Sequence, residues 1–256
     1  MELYSAAESG LDPRIYAFYR EALTALQQAQ VPFLVGGAYA LASHTGVVRH
    51  TKDVDIFIRP KDCKHALDVL SAAGYRTEMT DERWLAKARA GEDFVDIIFS
   101  SGNGIAEVDD VWFTYAIDAR IFGLSVQLCP AEETIWSKAF VMERERYDGA
   151  DVAHLIRAYG ERLDWSRLLE RFASHWRVLL SHLILFGYIY PSERVCIPSS
   201  VMDTLLDRVR CESQSPRTVG RLCRGTLLSR VQYAIDVDRW GYQDARLLLG
   251  TEKGKV

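Results

Sequence analysis

The most restrictive feature of the sequence is a short segment, residues 53–59, in which two kinds of side chain alternate. One face carries Val54, Ile56 and Ile58, and the other carries Asp53, Asp55 and Phe57. A period of two predicts a β-strand, on which side chains at i and i+2 point to the same side. Neighbouring carboxylates disfavour each other's ionisation unless a cation lies between them, and Mg²⁺ prefers such oxygen ligands. The segment therefore predicts either a cation site or the solvated face of an edge strand.

A single carboxylate interrupts a second apolar segment. Asp96 lies inside Phe94–Phe99, which predicts a buried strand. Burying an unpaired carboxylate is costly, so such a residue usually has a charged partner or a metal. Asp93, at the entrance of this strand, is the alternative third carboxylate, although a solvated residue there needs no partner. We predict that Asp96 joins Asp53 and Asp55 in a site for two divalent ions, either Mg²⁺ or Mn²⁺.

Two consecutive glycines, Gly36 and Gly37, lie between a short apolar strand, residues 33–35, and a predicted helix, residues 38–44. Glycines at such a junction let backbone N–H groups approach a phosphate, whose charge the helix N-terminus favours. A tight turn without a ligand would use the same residues. The glycine pair indicates a phosphate site only in combination with the two carboxylate strands that follow it.

Taken together, residues 35–99 resemble the DNA-polymerase-β-like nucleotidyltransferase superfamily. Its signature is a Gly-Gly or Gly-Ser, a spacer, a D-x-D or D-x-E strand and a later lone carboxylate. The small-molecule branch, such as lincosamide and aminoglycoside nucleotidyltransferases, and the nucleotidyltransferase toxins are the most similar members. The resemblance implies transfer of a nucleoside monophosphate from an NTP to an acceptor, with Asp53, Asp55 and Asp96 as catalytic metal ligands.

Two cations are candidate contacts for the nucleotide phosphates, beside Gly36 and Gly37. Arg49 precedes the D-x-D, where the resistance enzymes also carry an arginine; a surface arginine without a ligand is the alternative. Lys138 matches a lysine that many relatives carry on the first helix after the core, and a solvated helix lysine is the alternative. His44 and His50 flank the loop before the D-x-D, and whether either assists in deprotonating the acceptor is left open.

The character of the chain changes near residue 129. The part before it combines strands and helices, and the part after Pro130 is predicted to be helical, with helices over 131–143, 150–159, a long one from about residue 165, and 201–210. We therefore predict an α+β (mixed α/β) fold. A nucleotidyltransferase sheet with flanking helices forms residues 1–129, an all-helical C-terminal domain forms 130–250, and 251–256 is a frayed tail.

The composition limits the partners. A net charge of -4 and a pI of about 5.9 argue against broad capture of nucleic acid. The start of the chain lacks a signal peptide and residues 178–190 are too short to span a bilayer, so we expect a cytoplasmic protein without a membrane partner. The oligomeric state is left open.

Three hypotheses concern the function: two differ in the acceptor of the nucleotide, and the third has no transfer. A small hydroxyl-bearing acceptor is favoured. Transfer to RNA is the alternative, because several arginines make the C-terminal part locally basic. They are Arg208, Arg210, Arg217, Arg221, Arg224 and Arg230. A nucleotide-binding or partner-binding module without turnover is the third, and the complete set of carboxylates argues against it.

Overall fold

The computed structural model describes residues 11–49, 51–214 and 220–249. The chain divides between Pro130 and Ala131 into two compact units. The predicted frayed tail lies outside the described residues, as do His50 and Arg217.

The first unit is built of seven strands and four α-helices within its described residues. The strands are β1 (Leu34–Val35), β2 (Asp53–Phe57), β3 (Arg76–Asp81), β4 (Leu85–Ala90), β5 (Asp93–Ile98), β6 (Ile117–Ile121) and β7 (Leu124–Leu128). The helices are α1 (Pro13–Gln28), α2 (Gly37–Thr45), α3 (Cys63–Ala72) and α4 (Asp110–Thr114), and a 3-10 turn (Pro60–Asp62) leads into α3. Together with the largely helical second unit, this confirms the predicted mixed fold class.

All seven strands form one mixed sheet in the order β3-β4-β5-β2-β1-β7-β6. Strand β2 lies near the middle, parallel to β5 and antiparallel to β1. Strand β4 runs antiparallel to β5 on the side away from β2. The two carboxylate strands predicted from the sequence are therefore direct neighbours.

Alternation along the strands separates the core from the carboxylate face. Val54 and Ile56 of β2 and Val95 and Ile97 of β5 are fully buried in the core, which helix α1 covers with its apolar face. Asp96 lies on the opposite, half-buried face. The predicted buried strand at 94–99 is therefore buried on its core face and half-buried on its carboxylate face.

Strands β3, β4 and β6 were missed in the sequence. Strand β4 has the sequence Leu-Ala-Lys-Ala-Arg-Ala, whose residues all favour helices, and β3 is mostly polar. Their pairing with β5 gives them the strand conformation, so tertiary context overrides local propensity here.

The described residues of the second unit are mainly helical and include a short pair of parallel strands. Its helices are α5 (Ala131–Lys138), α6 (Gly149–Tyr159), α7 (Trp165–Phe172), α8 (Trp176–Ile189), α9 (Ser199–Gln214) and α10 (Ala234–Asp238), and its strands are β8 (Leu222–Cys223) and β9 (Gln243–Asp244). The remaining 3-10 turns are Ala173–His175, Pro191–Cys196, Gly225–Leu227 and Ala245–Leu247. No helix in the described ranges is long and apolar enough to cross a membrane.

Two predicted helices of this unit end earlier than expected. Helix α5 stops at Lys138 instead of continuing to residue 143, and Met142 pairs with Tyr147 in an isolated bridge. The long helix from Trp165 is interrupted at Ala173, which has a φ of 39°. Its apolar stripe runs on across the break, so periodicity alone gave no signal of the interruption.

Candidate active site

Three carboxylates converge on the half-buried face of the sheet, opposite the core. Asp53, Asp55 and Asp96 each present one oxygen atom, and these oxygens all lie within 4.8 Å of one another. The strand register explains the convergence, because Asp55 is the direct partner of Asp96 in the parallel pair of β2 and β5. The structure thus brings together the trio that the sequence predicted. Asp93, the alternative third carboxylate, is the first residue of β5. It lies on the same side of the strand as Val95, opposite Asp96, and is not part of this cluster.

The spacing of these oxygens suits a divalent ion. Two ligands that each lie about 2.0–2.6 Å from one cation are at most about 5.2 Å apart. The oxygens of Asp53, Asp55 and Asp96 satisfy that limit. All three side chains are half-buried, so an ion there would meet both carboxylate oxygen and solvent.

Two hydroxyl groups fix the start of β2. Thr51 donates a short hydrogen bond from Oγ1 to Oδ1 of Asp53. The hydroxyl of Tyr19, on α1, donates to the carbonyl oxygen of Lys52 over 2.9 Å. Burial raises the pKa of Tyr19, and the negative charges of Asp93 and of the trio raise it further. The phenol therefore stays neutral and remains a hydrogen-bond donor.

Lys87 of β4 contacts the third carboxylate and was missed in the sequence. Its Nζ lies 2.5 Å from Oδ1 of Asp96, and each side chain is 14% exposed. The same ammonium group lies 3.9 Å from the ring centre of Phe94. Burial raises the pKa of Asp96 and Lys87 opposes that effect, with a net rise. In the sequence, Lys87 lies between two alanines. This alternation indicates a polar position on one face only once β4 is known to be a strand.

Both glycines of the pair lie close against side chains of β2. Gly37 has a φ of +53°, and a Cβ there would overlap the carboxylate of Asp55. A Cβ on Gly36 would overlap the ring of Phe57. The backbone N–H of Gly36 donates a hydrogen bond to the carbonyl oxygen of Asp55 over 2.9 Å. The close approach to β2 accounts for both glycines. Their contact with a nucleotide phosphate stays a prediction.

Two residues near the loop before β2, His44 and Arg49, differ in burial. His44 is buried, and its Nε2 lies 2.8 Å from the carbonyl oxygen of Cys129, which indicates a structural role for this ring. Arg49 is exposed in the loop. Its predicted phosphate contact remains a prediction.

Lys138 lies at the end of α5, in the second unit. Its Nζ is 3.0 Å from Oδ2 of Asp148 and 2.8 Å from Oδ2 of Asp151, and the three side chains are 18%, 11% and 6% exposed. Burial raises the pKa of Asp148, but Lys138 and Arg146 together lower it below its ordinary value. Asp148 occupies the N-cap of α6 without a capping hydrogen bond from its side chain. A phosphate contact for Lys138 stays a prediction, and in this structure the lysine pairs with two carboxylates.

Comparison with known families assigns the chain. A model of the family described as "Uncharacterised nucleotidyltransferase" matches residues 14–186, which is more than half of the sequence. The chain belongs to this nucleotidyltransferase family. The match includes the carboxylate strands and the glycine pair and continues through α5 into α8, and it confirms the resemblance seen in the sequence.

Solved structures show more distant similarity. The antibiotic-resistance factor ANT(2'')-Ia gives a TM-score of 0.48 at 17% identity, covering 67% of this chain and 98% of that one. The lincosamide antibiotic adenylyltransferase LnuA, solved with lincomycin, gives 0.40 at 16% identity, covering 57% and 96%. JHP933 from Helicobacter pylori gives 0.36 at 13% identity, covering 89% and 99%. No curated protein sequence matches the chain. The family assignment therefore rests on the sequence match.

Proposed function

We propose that this nucleotidyltransferase moves a nucleoside monophosphate from an NTP to a hydroxyl group of a small molecule, with Asp53, Asp55 and Asp96 holding two divalent ions. The observation that carries the proposal is the convergence of three carboxylate oxygens within 4.8 Å on one face of the sheet. Mg²⁺ is the proposed ion and Mn²⁺ its substitute, because all three ligands are carboxylates.

The reaction is a displacement at the α-phosphorus. The acceptor hydroxyl oxygen forms a bond to that phosphorus, the bond to the bridging oxygen of the β-phosphate breaks, pyrophosphate leaves with the electron pair, and the hydroxyl proton is released. When bound, the divalent ions supply charge stabilisation to the attacking and leaving oxygens. The protein's own contribution is to fix three carboxylates in register on two paired strands, which costs no reorganisation during the reaction.

Four residues are the proposed phosphate contacts: Gly36, Gly37, Arg49 and Lys138. The glycine pair begins α2, whose N-terminus favours negative charge. The side chains of Arg49 and Lys138 supply positive charge for the triphosphate.

The small acceptor is proposed over RNA for two reasons. The net charge is -4, which does not favour a polyanion. Several of the C-terminal arginines are also engaged locally: Arg210 pairs with Asp207 at 2.6 Å, Arg224 donates to the carbonyl oxygen of Ser174 at 3.2 Å, and Arg221 lies over the ring of Tyr242.

Incubation with each α-³²P-labelled NTP, Mg²⁺ and either a metabolite extract or total RNA tests the proposal. We expect label in a small molecule, dependent on Mg²⁺ and absent with Asp53→Asn protein. Label in RNA would overturn the acceptor class and keep the chemistry. Binding of NTP with no labelled product from either mixture would favour a module without turnover.

A further inference from the structure

The Lys87–Asp96 pair is a defined contact within the sheet and not a loose surface pair. Lys87 is the antiparallel register partner of Asp96, and its neighbours on β4, Ala86 and Ala88, are fully buried. The lysine side chain therefore emerges on the carboxylate face. Both partners are 14% exposed, and the charged atoms lie 2.5 Å apart.

Nearby groups hold the ammonium group in place. The ring of Phe94 lies beneath it, with 3.9 Å between Nζ and the ring centre. Arg89, two residues along β4, pairs with Glu78 at 3.1 Å. Of these two cations on the strand, Lys87 is the one that pairs directly with Asp96.

The charges on this face define what the lysine does. The three carboxylates carry a formal charge of −3 when ionised, and the ammonium group reduces it to −2. A cation fixed on Asp96 repels a divalent ion that uses the same carboxylates. It also stabilises the protein when no such ion is bound, because removing one partner of a buried pair leaves an uncompensated charge.

We propose that Lys87 is a positioning residue and the built-in counter-ion of the Asp53–Asp55–Asp96 trio, and that it weakens the binding of a divalent ion to the free protein. The inference rests on the proposed function, which assigns the metal to these carboxylates. The backbone of Asp96 stays in place when Lys87 is removed, since it is paired on both sides, with β2 and with β4. Removing the ammonium group leaves one more net negative charge on the trio, and we expect this added attraction for a divalent ion to exceed the effect of the lost contact.

The test is Mn²⁺ binding to the full chain at neutral pH, measured by calorimetry and by the electron paramagnetic resonance signal of free Mn²⁺. Lys87→Met should bind Mn²⁺ about tenfold more tightly or better, and its metal-free form should unfold at a lower temperature. Lys87→Arg keeps the charge and should restore the weaker affinity. Lys64→Met removes an exposed lysine that pairs with Asp68 at 2.7 Å, and it should match the wild-type affinity.

The outcomes separate the two proposals. If the wild type binds no Mn²⁺, or if Asp53→Asn binds it equally well, the metal site and the role of Lys87 both fail. If the wild type binds and Lys87→Met binds equally or more weakly, only the role of Lys87 fails. Should Lys87→Met not fold without metal, Lys87→Gln, which keeps a hydrogen-bond donor for Asp96, replaces it in the same comparison.

Discussion

The carboxylate of Asp55 occupies the space that a side chain on Gly37 would need. Gly37 has a φ of +53°, and a Cβ built on it would overlap Oδ2 of Asp55. The glycine that opens α2 and the second carboxylate of the D-x-D are therefore in direct contact. This contact ties two separate sequence motifs to one site.

Gly37→Ala should damage both fold and site. The positive φ alone costs an alanine about 1–2 kcal/mol, and the overlap displaces Asp55 from the trio in addition. Gly91→Ala is the matched control, since Gly91 has a φ of +66° with no atom within 4 Å of its Cβ. We expect Gly91→Ala to keep nucleotide transfer and Gly37→Ala to lose it, with a larger drop in the free energy of unfolding by urea. Equal stability and equal transfer in the two variants would disprove the contact.

The sequence could place Asp53 and Asp55 together because their pattern is local, whereas Asp96 joins them through the pairing of β2 with β5. An alternation over 53–59 places Asp53 and Asp55 on one face whatever the rest of the chain does. The position of Lys87 beside Asp96, on the side away from β2, could not be predicted from the sequence. Strand β4 consists of residues that favour helices, so Lys87 could be placed only after its pairing with β5 was known. The break at Ala173 is a further case, since the apolar stripe continues past it.

Lys138→Met should destabilise the second unit. The substitution leaves Asp148 and Asp151, which are 11% and 6% exposed, without this cation. Breaking such a pair costs about 3 kcal/mol, whereas Lys64→Met removes an exposed pair and should cost well under about 1 kcal/mol. Urea unfolding of both variants gives the comparison, and equal losses would contradict the assigned ion pairs.

The same Lys138→Met variant tests the phosphate contact under conditions where it is folded. If Lys138 contacts the triphosphate, KM for the NTP rises while KM for the acceptor does not. An unchanged KM for the NTP would limit Lys138 to its structural ion pairs.

His182 should make the second unit sensitive to mild acid. Burial lowers its pKa below the ordinary value of 6.5, although a hydrogen bond between its Nε2 and the carbonyl oxygen of Ala139, 2.8 Å away, opposes the shift. Below that pH the unfolded chain takes up a proton that the folded ring resists, so the free energy of unfolding falls as pH decreases from about 6.5. Above it the contribution is constant.

His182→Gln checks this assignment, because glutamine can still donate to the carbonyl oxygen of Ala139 and does not titrate. Urea unfolding of the wild type and the variant is compared between weakly alkaline and weakly acidic pH. We expect the variant to lose less stability than the wild type on acidification. The same loss in both proteins would assign the pH dependence to other groups.

The central claim is that Asp53, Asp55 and Asp96 form the metal-dependent transfer site, and the most direct measurement is the rate of nucleotide transfer by Asp53→Asn and Asp55→Asn. Each variant removes one carboxylate ligand, and metal charge stabilisation is worth several kcal/mol at the transition state, so we expect a loss of about a thousandfold or more. Metal-free thermal stability should hold or rise because repulsion within the trio is relieved. Asp68→Asn, on the exposed face of α3, should keep full activity. Folded Asp53→Asn and Asp55→Asn proteins with undiminished Mg²⁺-dependent transfer would contradict the account and place the active site elsewhere.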